Sequence, residues 1–125
     1  MKTIMVVDDS ATIRMSMESI LKKAGYGTVI ADSAESALRL LTGGAKPNLI
    51  ITDLNMGAMN GIEMIREVRK MAANRFVPIL MLTTESQVAK RQEAKAAGAS
   101  GWLVKPVDAG GLMQALAQLL PGGAM

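Results

Sequence analysis

Residues 4–9 read Ile4-Met5-Val6-Val7-Asp8-Asp9, an apolar run that stops on two carboxylates. Ile4–Val7 is the first of several short apolar runs. Thr28–Ala31 is a weaker second, Leu49–Ile51 a third, Val77–Leu82 a fourth and Gly101–Val104 a fifth. The third and fourth are unbroken rather than alternating, which suits strands covered on both faces. Each run is then followed by a helical pattern, so the opening stretch is read as the first strand of an alternating chain.

Between the strands, Ile13, Met17, Ile20, Leu21 and Ala24 form one apolar stripe, and Gly25 stops it. Asp32 and Glu35 predict a capping box for a helix through Leu41, ended by Gly43-Gly44. Ile62, Ile65, Val68 and Ala72 line a third helix, with Glu63/Arg66 and Glu67/Lys70 paired on its other face. Thr84 with Gln87 starts a fourth that stops at Gly98, and it carries the fewest apolar anchors. Asp108 starts a fifth through Leu112, Leu116, Leu119 and Leu120, closed by Pro121. Five strands alternating with five helices predict a doubly wound α/β domain over residues 1–121, with 122–125 as a short tail.

A parallel sheet gathers the carboxyl ends of its strands on one rim, where ligands bind. The first strand ends at Asp8-Asp9, the third at Asp53, the fourth at Thr83 and the fifth at Lys105. Singly, each is a common turn or helix-cap residue. Jointly they put three acids, a hydroxyl and an ammonium on one edge. Clustered carboxylates without nitrogen or sulfur ligands suit a hard cation, and magnesium suits a site with few protein ligands. The cation and Lys105 would offset the repulsion among the acids. An aspartate so placed is equipped to attack a phosphoryl group and hold it as an acyl phosphate. Thr83 would bind one of the transferring oxygens.

Composition narrows the alternatives. The 125 residues contain no cysteine and no histidine. That excludes disulfides, thiolate zinc and iron–sulfur sites, cysteine nucleophiles, imidazole ligands and serine–histidine–aspartate triads. A chain of this length buries roughly two-thirds of its unfolded surface and folds without covalent staples. The formal net charge is +3, but one Trp, one Tyr and one Phe offer no platform for stacking bases, so nucleic acid is not expected as a partner. The run Val77–Leu82 is too short to cross a bilayer, and the N-terminus has no signal-peptide form. A cytoplasmic setting without membrane attachment is expected.

The residues also resemble a family, the receiver domains of bacterial response regulators, and within it the stand-alone chemotaxis type. The resemblance rests on Val6-Val7-Asp8-Asp9-Ser10, on Asp53-Leu54-Asn55-Met56 with Met59-Asn60-Gly61, and on Leu82-Thr83-Thr84-Glu85. Ala97-Gly98-Ala99-Ser100-Gly101-Trp102-Leu103-Val104-Lys105-Pro106 completes it. It spans essentially the whole chain, and only the combination is specific. The flavodoxin-like strand order 2-1-3-4-5 comes with the resemblance, not from the spacing. So do Asp53 as phosphoacceptor and magnesium held by Asp9, Asp53 and the Asn55 carbonyl oxygen, with Asp8 acting largely through water. Thr83 and Trp102 would form the switch, Asn55 and Glu85 would tune dephosphorylation, and Lys105-Pro106 would be a candidate cis bond. The implied partners are a histidine kinase of the CheA type and a protein target on the face of the fourth helix, fifth strand and fifth helix, with Lys90, Arg91 and Lys95 as a basic border. The chain would act as a monomer.

Four positions depart from the family pattern. Gly57 stands where proline is usual, which predicts a looser loop by about 0.4–1 kcal/mol of chain entropy. Thr84 replaces alanine or glycine, Trp102 replaces tyrosine or phenylalanine, and Val107 replaces phenylalanine. Other readings fit less well. Gly25-Tyr26-Gly27 follows a helix and matches no nucleotide-binding fingerprint. An aspartyl-phosphate phosphatase would carry its paired acids two apart on the first strand, whereas Asp8 and Asp9 are adjacent. A phosphate sink or relay without output uses the same residues and is the nearest alternative.

Overall fold

In a computed structural model, residues 1–124 are described, with Glu85 and Ser86 described by their backbone alone. The strands are β1 (Thr3–Val7), β2 (Gly27–Ala31), β3 (Leu49–Asp53), β4 (Ile79–Thr83) and β5 (Gly101–Val104). The helices are α1 (Ala11–Lys23), α2 (Ala34–Thr42), α3 (Gly61–Lys70), α4 (Arg91–Ala97) and α5 (Ala109–Leu119). All strand pairs are parallel, in the order β2-β1-β3-β4-β5. No helix among the described residues is long and apolar enough to cross a membrane.

Strand residues alternate faces, and the two faces feed two separate cores. Met5, Val7, Ile50, Ile79 and Met81 pack with Ala34, Ala37 and Leu41 of α2 and with Ile62, Ile65 and Val68 of α3. Ile4, Val6, Leu49, Ile51, Leu80 and Leu82 pack with Met17 and Leu21 of α1 and with Leu112 and Leu116 of α5. β3 and β4 are buried at every position, as their unbroken apolar runs require.

Several expectations shift by a residue or more. β4 begins at Ile79 rather than Val77, because Pro78 has no N–H to donate; its carbonyl still accepts from Ile50 N at 2.9 Å. Ser33, not Asp32, caps α2, its hydroxyl accepting from Ser36 N at 3.0 Å. Glu63 does not pair with Arg66. It folds back onto Asn60 N at 2.9 Å while Asn60 Oδ1 accepts from Glu63 N at 2.8 Å, a reciprocal cap for α3. Ala72 lies beyond α3, in a short 3-10 turn over Ala72–Asn74. The expected fourth helix is two pieces, a 3-10 segment over Glu85–Lys90 followed by the seven residues of α4. The tail is not free up to Ala124, whose carbonyl accepts from Lys2 N at 3.0 Å; Met125 lies outside the described residues.

Gly61 couples α3 to the rim. Its N–H donates to Leu54 O at 2.8 Å, and a Cβ there would collide with the Asp53 carbonyl oxygen. The backbone of β3 cannot yield, so Gly61→Ala should lower stability by about 2–3 kcal/mol. Urea unfolding followed by far-UV circular dichroism measures this; an unchanged midpoint would contradict the contact.

Candidate functional site

The rim gathers Asp8, Asp9, Asp53, Thr83 and Lys105 from four strand ends. β1 and β3 are hydrogen-bonded neighbours, so Asp8 and Asp53 sit side by side, and each of the three acids has a carboxylate oxygen within 4.8 Å of the other two. Asp8 and Asp53 are buried, and Asp9 is exposed. Asp53 is the last residue of β3 itself and is 7% exposed, deeper than a residue beyond the strand would be.

Lys105 organises the two buried acids. Its Nζ lies 3.0 Å from Asp53 Oδ1 and 3.4 Å from Asp8 Oδ2. Leu54 N also donates to Asp53 Oδ1, at 2.9 Å, so that one oxygen carries both bonds. Asp8 is braced twice more: Ser10 N donates to its Oδ1 at 2.9 Å, and Arg14 Nη1 to its backbone carbonyl at 2.7 Å. Ser10 in turn caps α1 through Ile13 N. The Lys105-Pro106 peptide is cis, and Lys105 N donates to Thr83 O at 2.6 Å, tying the end of β5 to the end of β4.

Burial raises the Asp53 pKa above its ordinary value; Lys105 pulls it down and Asp8 pushes it up again. Burial opposes the charge on Lys105, but the bonds and field of Asp53, then Asp8, outweigh it and hold the Lys105 pKa above its ordinary value.

Thr83 is 3% exposed, and its hydroxyl has no hydrogen-bond partner. It is the one buried side-chain polar atom among the described residues in that state. An unsatisfied buried hydroxyl costs roughly 1–3 kcal/mol, so its placement is expensive. In register, Asp53 pairs with Leu82, and Thr83 follows directly. The hydroxyl thus ends the strand next to the phosphoacceptor candidate.

The donor set fits a magnesium ion. It offers hard carboxylate oxygens from Asp8, Asp9 and Asp53, one of them solvent-facing, with the Asn55 carbonyl on the adjoining loop. Asn55 is exposed on that loop, and the Glu85 side chain lies outside the described residues. Gly57 has φ +87°, a left-handed conformation that proline cannot adopt, so this loop follows a path that the usual proline would forbid. Thr84 N donates to Gln87 Oε1 at 2.8 Å, so Thr84 starts the 3-10 segment as predicted. Val107 lines a cavity of about 250 Å³ beside Lys105, with Ile13, Met17 and Leu82.

Trp102 is half-buried against the α3-side core, with the Arg91 guanidinium 3.9 Å above its ring centroid. Lys90 is drawn to Glu93 at 3.5 Å, and Arg66 reaches the same carboxylate at 3.6 Å. Of the basic border, Lys90 makes an exposed ion pair with Glu93, and Arg91 is stacked on the indole. Arg14 and the Arg91 stack were not legible beforehand: an arginine six residues after Asp8 or eleven before Trp102 carries no motif.

This combination of a parallel 2-1-3-4-5 sheet with an acid cluster, lysine and hydroxyl at its carboxyl edge defines a two-component signalling receiver. The chain belongs to the response regulator receiver domain family, whose profile matches residues 4–117. It is 40% identical over 106 residues to chemotaxis protein CheY1 of Helicobacter pylori J99, covering 82% of this chain and 84% of that one. It is 35% identical over 122 residues to the chemotaxis protein CheY homolog of Campylobacter jejuni 81-176, covering 97% and 94%. Among solved structures, the chemotaxis response regulator CheY4 of Vibrio cholerae superposes with a TM-score of 0.89 at 42% identity, over 96% of this chain and 99% of that one.

A carboxyl with a raised folded pKa binds its proton more tightly folded than unfolded. Its contribution is favourable below the ordinary carboxylate range and is lost as pH rises through the raised value, so ionised Asp53 weakens the metal-free fold at neutral pH. Asp53→Asn removes that charge while Lys105 keeps Asp8. The variant should melt several degrees higher than the wild type at pH 7 in chelator, and the gap should close toward pH 4. Calorimetry across that range checks it; a lower melting temperature at pH 7 would contradict the assignment.

Proposed function

We propose that this protein is a phosphorylation-activated switch acting in the cytoplasm, with Asp53 as phosphoacceptor and chemotaxis as the pathway its relatives favour. The observation that carries this reading is the buried, unpartnered Thr83 hydroxyl at the strand end beside Asp53. A buried group kept without a partner is matched to one that arrives. A phosphoryl oxygen on Asp53 is such a partner.

The phosphodonor that the chemotaxis relatives favour is a histidine kinase of the CheA type; with no histidine of its own, this chain carries no phosphohistidine. Asp8, Asp9 and Asp53, with the Asn55 carbonyl, are the residues that would hold magnesium, which when bound supplies positive charge to the phosphoryl oxygens. A carboxylate oxygen of Asp53 attacks phosphorus, the P–N bond of the donor breaks, and its electron pair returns to the imidazole ring. Lys105 neutralises charge on the transferring oxygens from its position 3.0 Å from Asp53. Hydrolysis reverses the gain: water attacks phosphorus and the Asp53 carboxylate leaves, at a rate that Asn55 and Glu85 set.

Output runs through the face made by α4, β5 and α5. Only Ala94 of α4 is buried, so a shift at Thr83 repositions the helix at small cost. Trp102 and Lys95 share an open cleft on that face, which with Arg91 suits an acidic, partly apolar protein segment. The switch works as a monomer.

Incubation with acetyl phosphate and magnesium should add one phosphoryl group, read by intact-mass spectrometry, without any kinase. Asp53→Asn and chelator should each abolish it, and Lys105→Met should slow it at least tenfold. The label should decay within hours at neutral pH once the donor is removed. Full labelling of Asp53→Asn would overturn the assignment.

A further inference from the structure

Arg69, in the last turn of α3, forms no ion pair among the described residues. Its guanidinium donates to backbone carbonyls alone: Nη1 to Asn74 O at 3.1 Å, Arg75 O at 3.2 Å and Val77 O at 2.6 Å, then Nε and Nη2 to Gly98 O at 3.3 and 2.7 Å. Burial lowers its pKa from the ordinary value, yet an arginine stays charged. A partly buried cation satisfied by four carbonyls is a cross-brace. It joins the end of α3, the loop into β4 and the end of α4.

Gly98 is the other half of the brace. It terminates α4 at φ +118°, with its N–H on Ala94 O and Lys95 O. A Cβ there would stand 2.9 Å from Arg69 Nε. Its carbonyl, at the negative end of the helix, faces the guanidinium, where a cation is favoured. Two further bonds pin the same corner: Ser100 N to Ile79 O at 2.8 Å, and Ile79 N to Ser100 Oγ at 3.0 Å. The opposite end differs. The chain leaves Thr83 into a 3-10 segment, a poorer hydrogen-bonded form, and Ala94 is the one buried residue of α4. The Arg66–Glu93 pair between α3 and α4 is exposed and contributes little.

We propose that Arg69 is a positioning residue that makes the Gly98 end of α4 a fixed pivot, so that switching swings α4 and its 3-10 lead from the Thr83 end. The two pieces together are about 22 Å long. A displacement of about 2 Å at Thr83 then needs a rotation of about 5°, with no movement at Gly98. The brace converts a small strand-end shift into a tilt of one helix and keeps it from becoming a rigid slide of α4 along β5. Switching itself rests on the receiver reading above; the brace does not.

Amide hydrogen exchange on the full chain tests both parts. Without any phosphoryl mimic, Arg69→Gln should speed exchange at Gly98, Ala99 and Ser100 by about tenfold or more, the loss of one or two charge-assisted bonds, and leave residues 85–90 unchanged. Arg69→Lys should restore part of the protection. Unchanged exchange at Gly98–Ser100 in a folded Arg69→Gln would overturn the pivot. With magnesium and beryllofluoride, the wild type should change protection over 84–91 and not over 97–100, and Arg69→Gln should spread the change into 97–100. Equal changes at both ends of the wild-type helix would overturn the pivot even were the variant not to fold. Fluorine NMR separates the two readings: no bound beryllofluoride on the wild type counts against the receiver, and the mimic-free comparison still decides the brace. Acetyl phosphate labelling of Asp53 in Arg69→Gln should stay within about twofold of wild type, since Arg69 touches nothing at the rim.

Discussion

One ammonium group holds the two buried carboxylates of this protein within reach of each other. Lys105 lies 3.0 Å from Asp53 and 3.4 Å from Asp8, and without it two buried carboxylates on adjacent strands would face each other with no cation between them. The rest of the fold follows from delivering that lysine. It requires β1 beside β3, β4 beside β3 and β5 beside β4, all parallel, so that four carboxyl ends share one edge. Two cores, one per face, supply the burial that offsets the charge cluster.

The cluster is also where the fold is least content. Burial raises the Asp53 pKa, and the Thr83 hydroxyl is buried with no partner. Both would be relieved by the same event, a phosphoryl group on Asp53 with a cation beside it. Thr83 is joined through Lys105 N to β5 and opens directly into the 3-10 segment that leads α4. A change at its side chain therefore reaches two elements at once, and the Arg69 brace decides which end of α4 moves.

Much of this was legible in the residues, and the physical reasons separate what was from what was not. Unbroken apolar runs marked β3 and β4 because a strand covered on both faces favours apolar residues at successive positions, with Thr52, Asp53 and Thr83 confined to the carboxyl ends. Gly101–Val104 and the Asp108 cap of α5 came out as expected because β5 and that cap are local patterns. Local competition was harder to read. Asp32 and Ser33 are both good caps, and only the turn geometry selects Ser33. Glu63 could bond Arg66 or its own N-cap, and the reciprocal cap won. The rim's acids, hydroxyl and lysine could be placed together from strand ends alone. The Asp8 brace by Arg14, the Arg91 stack on Trp102 and the Arg69 clamp could not, since each joins residues by packing and leaves no spacing signal.

On the proposed reading, Thr83 is kept unsatisfied for a phosphoryl oxygen and transmits its arrival to α4. Thr83→Val, isosteric but without the hydroxyl, tests it most directly, with thermal unfolding and amide NMR on one protein. Removing an unpaired buried hydroxyl should stabilise the metal-free form by about 1 kcal/mol. Magnesium and beryllofluoride should then shift amides around Asp9 and Asp53 but no longer those of residues 85–91. A destabilised variant, or shifts that still reach α4, would contradict the account.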